Sequence, residues 1–308
     1  MQMTNITAVI MQIIMLFCVT AVGYLTERRG IMTEPVIKGV NTLLLRVAWP
    51  CMILMTTQKS RSESELGNFM MILAVTFAVL AAGCVIVYAI TRRSARVRSA
   101  SVYTMLAVMP NAGFVGLPII RAVYGDVGEF YLSAFLVGMN LVMWTICVFL
   151  FTGVSLHSLK AALNPGFIAS VLGTALFLLG IRLPTPLAST VTQLGSMTTP
   201  LAMLLLGARL NRIRRDILRD RGLWTSGAVK LLVMPLITLV LMRLLHAGAV
   251  VTGVTVLSMA MPAASAAQLF AENYDSDVQF AAAGVSLGTL LCILTIPLIQ
   301  ILMNAIPW

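Results

Sequence analysis

The strongest local signal in the chain is a run of nine residues inside an apolar segment: Pro110-Asn111-Ala112-Gly113-Phe114-Val115-Gly116-Leu117-Pro118. Two prolines and two glycines at this spacing break a helix, because each proline lacks an N–H and crowds the preceding turn while glycine frees the backbone. Far along the chain, Met261-Pro262-Ala263-Ala264-Ser265-Ala266-Ala267-Gln268 places another proline inside an apolar segment, among small residues that let a second backbone cross closely. A helix broken at membrane depth presents, at the start of its second half, N–H groups with no intrahelical acceptor and the positive end of the peptide dipole. Two such ends, with the neutral side chains of Asn111, Ser265 and Gln268 beside them, suit an anion such as a carboxylate. The candidate binding set is therefore Pro110, Asn111, Ala112, Gly113, Pro262, Ala263, Ser265 and Gln268. The competing reading is a pair of kinked helices that only pack.

Other chemistry-bearing residues are few. Arg46 stands near the middle of an apolar segment, with Asn41 before it and Trp49-Pro50 after it. A charge there costs at least about 2.5 kcal/mol on insertion scales, so it is a candidate for the substrate's carboxylate. It is equally a candidate for carbonyls freed by Pro50, or for a headgroup at a dimer interface. Lys230 lies about two turns from a basic segment end and is expected to extend its ammonium to the membrane surface. Every Asp and Glu falls at a segment end or in a loop, so no buried carboxylate relay for protons is visible; Glu272, just past the second proline break, is the nearest acid to it. His157 and His246 have no metal-ligand spacing, and the five cysteines, all within apolar segments, read as packing residues. Neither a metal nor a cofactor is expected.

The elements that must position these residues follow from composition. Of 308 residues, 59% are hydrophobic and only 10% charged, and mean hydropathy is +0.95. That balance excludes a soluble enzyme, a disordered chain and a disulfide scaffold, and points to an all-α integral membrane protein. Apolar runs bounded by charge, Gly or Pro give ten spans, at 5–26, 35–57, 67–91, 99–121, 129–154, 165–181, 187–208, 224–246, 250–272 and 278–304. The two proline breaks fall in the fourth and ninth. The net charge of +10 is not a nucleic-acid footprint, because its arginines bunch between spans without interleaved aromatics. One alternating set of loops holds fourteen Lys and Arg, the other four: Lys59, Arg61, Arg121 and Arg182. The richer set is read as cytoplasmic, which puts both termini outside the cell. The first apolar run lacks a positive leader segment and reads as a retained span. Within 209–221, Leu210, Ile213, Ile217 and Leu218 have helical spacing, so this basic stretch is either a solvated loop or a surface helix meeting anionic lipid headgroups.

Shifting the chain on itself by 150 residues pairs Gly23 with Gly173, Gly30 with Gly180, Pro50 with Pro200, Tyr124 with Tyr274, Phe130 with Phe280 and Gly138 with Gly288. The raw identities exceed chance only modestly; the weight rests on these landmarks. Five spans per half, 1–155 and 156–308, force the second copy to enter the membrane from the opposite side, which makes an inverted repeat.

These residues resemble the auxin efflux carrier family in its short bacterial form, through the 110–118 run, Met261-Pro262-Ala263 and Ala271-Glu272-Asn273-Tyr274. The resemblance covers essentially the whole chain. It implies two inverted five-helix halves with crossed, broken helices four and nine. It also implies a scaffold of helices one, two, six and seven that forms a homodimer, and a transport domain of helices three to five and eight to ten that moves as an elevator. Family members carry organic anions across membranes, auxin in plants and malate- or malonate-type acids in bacteria, so a bacterial plasma-membrane location is implied. Two departures stand out. The link around His157 is short where many plant carriers have a large cytoplasmic loop, and Ala263 stands where they have a second crossover asparagine. A relative of the sodium-coupled bile acid symporters, which share the crossed helices, is the nearest alternative; an intramembrane enzyme or lipid-binding scaffold is a more distant one.

Overall fold

The computed structural model describes residues 2–58, 63–94, 98–153, 165–211 and 215–305. The link around His157, the boundary at 155/156 and the charges Lys59, Arg61, Arg96, Lys160, Arg212 and Arg214 lie outside them. The described chain is helical: α1 (Gln2–Arg28), α2 (Glu34–Thr57), α3 (Glu63–Thr91), α4 (Ala100–Val108), α5 (Ala112–Thr152), α6 (Pro165–Leu179), α7 (Thr185–Leu210), α8 (Arg221–Leu244), α9 (Ala249–Met259), α10 (Ala266–Asn273) and α11 (Val278–Ala305). Among the described residues, seven helices are long and apolar enough to cross a membrane, and α6 and α9 are apolar but shorter. The protein is therefore a multi-pass helical membrane protein.

Sequence signals account for most boundaries. Ser99 caps α4 by accepting from the Val102 N–H, and the Asp220 carboxylate accepts from the Gly222 N–H at the start of α8 at 2.7 Å. One boundary differs from expectation. The turn sought between the fourth and fifth spans collapses to a single residue inside α5, Gly125, at φ 61° and ψ −148°. Glycine enters that region without a Cβ penalty, so one residue redirects a helix that otherwise runs on. Left-handed backbone recurs elsewhere at Gly30, Gly153, Gly180, His246 and Asp275. Gly30 and Gly180 are 150 residues apart, and so are Gly125 and Asp275.

Packing separates two kinds of contact. Along α1 and the second half of α7 the backbones nearly touch: a methyl group on Gly207 would overlap the Thr20 carbonyl, and one on Gly23 would overlap Leu204. Such closeness, available only to glycine, makes a tight helix pair, with the Thr20 hydroxyl 3.7 Å from the Met203 sulfur beside it. At the other extreme, residues 102–116 and 251–264 are buried without interruption. Helices apolar on every face belong at the centre of a bundle, and here α3, α8 and α11 pack on both α4 and α9, with α5 against α9.

Candidate functional site

Where α4 gives way to α5 and α9 to α10, each break satisfies the other. The Asn111 N–H donates to the Pro262 carbonyl at 2.7 Å, and the Ala264 N–H donates to the Met109 carbonyl at 2.9 Å. Pro110 and Ala263 thereby form an antiparallel bridge, the only extended pairing among the described residues. Backbone groups that proline leaves unpaired at membrane depth must find partners inside the protein, and a two-residue cross of the chains supplies them. The side chains repeat the link: Asn111 Nδ2 donates to Ser265 Oγ at 3.1 Å. Asn111 is 4% exposed, and Ala112 and Ala263 are buried.

After the cross, α5 opens with a π turn, Ala112–Gly116, in which the Asn111 carbonyl accepts from both Val115 and Gly116. On the other strand, α10 begins at Ala266. These are the two helix starts with the positive end of the peptide dipole. Glycine placement differs from expectation. A methyl on Gly113 would meet the Met52 Cε of α2 at 3.2 Å and Leu136, away from the crossing strand; one on Gly116 would face that strand, 3.1 Å from the Met261 Cγ, and one on Gly288 would approach Pro262 and Ala263.

A cleft opens beside the crossing, between it and α2 and α7. Its polar lining is Asn41, Arg209, Ser265 and Gln268, and Phe114 forms part of its apolar wall. The cleft is partly open to solvent and narrow, with room inside for about one water. Trp49 of α2 meets Phe114 edge-on at 4.9 Å between ring centroids. Asn111, Ser265 and Gln268 are thus gathered around one place. Arg46 is not among them: it is exposed on the outer face of α2, whereas Asn41, five residues earlier, faces the cleft.

Three residues escaped the sequence reading. Lys230 does not reach the membrane surface. It is 1% exposed, and its Nζ donates to the Met259 carbonyl at 2.7 Å, with the Met259 sulfur at 3.8 Å. Met259 ends α9, so the ammonium sits at the negative end of the half-helix that leads into the crossing. Arg209, counted with the basic loop, instead lines the cleft and pairs with Glu272, Nη2 to Oε1 at 3.4 Å. Asn140 on α5 is fully buried, and its two amide atoms have no partner in the structure; Leu136, one turn away, is the residue that nears Gly113. None of the three carries a local motif, so composition and spacing gave no warning. Within 209–221, Arg215–Arg219 forms a 3-10 turn with Ile217 buried and Leu218 exposed.

Buried, interlocked helix breaks in a multi-pass helical protein, with a polar cleft beside them, suit a membrane transport pathway. The comparisons agree. Residues 8–300 match the family described as membrane transport protein. The chain belongs to that family, the auxin efflux carrier family. Similar proteins include an uncharacterized transporter of Methanothermobacter thermautotrophicus, 28% identical over 285 residues, covering 90% of this chain and 92% of that one. The uncharacterized transporter MJ1031 of Methanocaldococcus jannaschii is 22% identical over 300 residues, covering 93% and 96% of the two chains. The uncharacterized transporter YfdV of Escherichia coli is 22% identical over 294 residues, covering 90% and 91%.

Proposed function

We propose that the protein is a secondary transporter that carries a small organic anion, through its carboxylate, across a bacterial plasma membrane by an elevator-type alternation of access. The observation that carries this reading is the paired break, in which Pro110 and Ala263 cross and bring two helix starts, Asn111 and Ser265 to one buried place beside a polar cleft. Positive helix ends and neutral hydrogen-bond donors favour an anion there.

Ten spans in two inverted repeats, 1–155 and 156–308, complete the reading. The recurrence of left-handed backbone at positions 150 residues apart, Gly30 with Gly180 and Gly125 with Asp275, supports it. Spans one, two, six and seven serve as the scaffold and the homodimer surface; the backbone-to-backbone packing of α1 on α7 supports a rigid frame there. The remaining spans move. The fourteen-to-four charge bias supports termini outside the cell and the 209–221 stretch inside, facing anionic headgroups.

Lys230 favours this reading over a sodium-coupled symporter. A coupling cation at the crossing would need carbonyl oxygens of the broken helices, and the carbonyl that ends α9 already holds an ammonium. Uptake of a panel of radiolabelled mono- and dicarboxylates into proteoliposomes, with and without sodium and with and without a pH gradient, tests the proposal. At least one acid is expected to enter at a rate that does not change when sodium is replaced by choline. Failure of every acid would overturn the function, and sodium-dependent entry of an amphipathic steroid would replace it with the symporter reading.

A further inference from the structure

Arg209 occupies a position that nothing in its sequence neighbourhood explains. It lies at the end of α7, its side chain only 12% exposed, and it lines two cavities at once. The inner one is the cleft beside Ser265 and Phe114, whose lining has no carboxylate and no other charged residue. The outer one, a void of about 560 Å³, is rimmed by Glu34, Gln279 and Glu272 and lies toward the basic end of the molecule. Between them, Glu272 Oε1 receives Arg209 Nη2 at 3.4 Å and Gln268 Nε2 at 3.1 Å. This pair ties α7 to α10, that is, the helix carrying the inner wall to the second half of the broken ninth span.

We propose that Arg209 is the residue that receives the substrate's carboxylate, and that Glu272 is its internal stand-in, holding the guanidinium while the site is empty and giving it up to the substrate. The proposal rests on the organic-anion reading above. Its chemistry is an exchange of one carboxylate for another. A guanidinium is a planar fork suited to a carboxylate, and Glu272 already marks the place where a carboxylate meets it. A guanidinium held mostly out of water is favoured by a carboxylate beside it, which Glu272 supplies in the empty protein and the substrate in the loaded one. The same exchange unties α10 from α7. Movement of the broken spans against the frame then depends on an anion being bound, and the empty carrier stays latched.

Wild type, Glu272→Gln, Arg209→Gln, Arg209→Lys and the Arg209→Gln/Glu272→Gln double variant would be purified and titrated with acetate, malonate, malate and indole-3-acetate. Melting temperature and calorimetric affinity are the readouts. Removing the internal competitor should tighten binding of the acid that wild type binds about three- to tenfold in Glu272→Gln, while lowering the ligand-free melting temperature. Arg209→Gln should weaken binding more than tenfold, Arg209→Lys less, and the double variant should bind no tighter than Arg209→Gln. Equal weakening in Glu272→Gln and Arg209→Gln, or unchanged affinity in either, would overturn the exchange while leaving the transporter reading intact, as long as wild type carries an acid. Failure of every acid with wild type, both in these titrations and in proteoliposomes, would remove both readings together.

Discussion

The break in the fourth span and the break in the ninth solve one problem by different means. At Met109–Gly116 the chain repairs itself locally: the Asn111 carbonyl accepts from Val115 and Gly116, and the Asn111 amide reaches Ser265. At Ala260–Ser265 the one polar side chain is Ser265, which accepts from the Asn111 amide. The Ala264 and Ser265 carbonyls accept locally from the Ala267 and Gln268 N–H groups, while Pro262 is served by the Asn111 N–H and the preceding Met259 by Lys230 across 29 residues of sequence. The first break is therefore the more polar of the two, and each still depends on the other for the backbone cross. The second draws the side chain of a distant lysine onto the end of α9. On the proposed reading, a substrate anion bound between them would meet the polar groups of the first break on one side and small side chains on the other.

Substitutions can test that asymmetry, and the largest effect belongs to the crossing itself. Gly116→Val would drive branched carbons toward Met261, next to the bridge, and overpacking of this kind costs about 1–3 kcal/mol. Transport is expected to fall more than tenfold with a lower melting temperature. Gly113→Val, which presses on the flexible end of Met52, should do less on both measures in flux assays and thermal melts. Equal effects would mean that the two glycines share one environment.

Lys230→Met should lower transport about tenfold while leaving stability within about 1 kcal/mol of wild type. The freed Met259 carbonyl costs about 1–3 kcal/mol, and relief from burying an ammonium without a carboxylate partner offsets it. A large fall in melting temperature with transport per folded molecule intact would make the lysine a structural cap only.

Ser265→Ala removes a neutral hydrogen bond, worth about 0.5–1.5 kcal/mol, so affinity should drop roughly two- to tenfold in calorimetry. A still larger loss would shift the anion's contact from the first break to the second. Smallest in binding should be Pro110→Ala and Pro262→Ala. Each restores an N–H and favours a continuous helix, so affinity should stay within about threefold while turnover changes. A loss of affinity matching that of Ser265→Ala would show that the prolines shape the bound state directly.

How much of this was legible in the sequence divides along the same line. The first break announces itself, because proline, asparagine and two glycines within a few apolar residues have a local physical meaning. The second was readable only as a proline among small residues. Asn111, Ser265 and Gln268 were placed together correctly because the crossing needs nothing beyond the two motifs. Arg46 turns outward and Lys230 inward. Both are single charges in apolar runs, and hydropathy cannot distinguish the outer face of α2 from the inner face of α8. That choice depends on how each helix is rotated in the bundle, and the sequence leaves it to tertiary packing. Arg209 was hidden for a related reason: it belongs by sequence to a basic loop and by packing to the cleft, in the last turn of α7.

The central claim is that the anion is held at the crossing of the two breaks and not by the intramembrane arginine. Calorimetric titration of Asn111→Ala beside Arg46→Gln, with the acid selected by the proteoliposome panel, tests it most directly. A hydrogen bond to a charged ligand is worth about 1.5–3 kcal/mol, so Asn111→Ala should bind roughly ten- to a hundredfold more weakly, with Arg46→Gln indistinguishable from wild type. Unchanged affinity in a well-folded Asn111→Ala, with a severalfold loss in Arg46→Gln, would place the site away from the crossing and contradict the account.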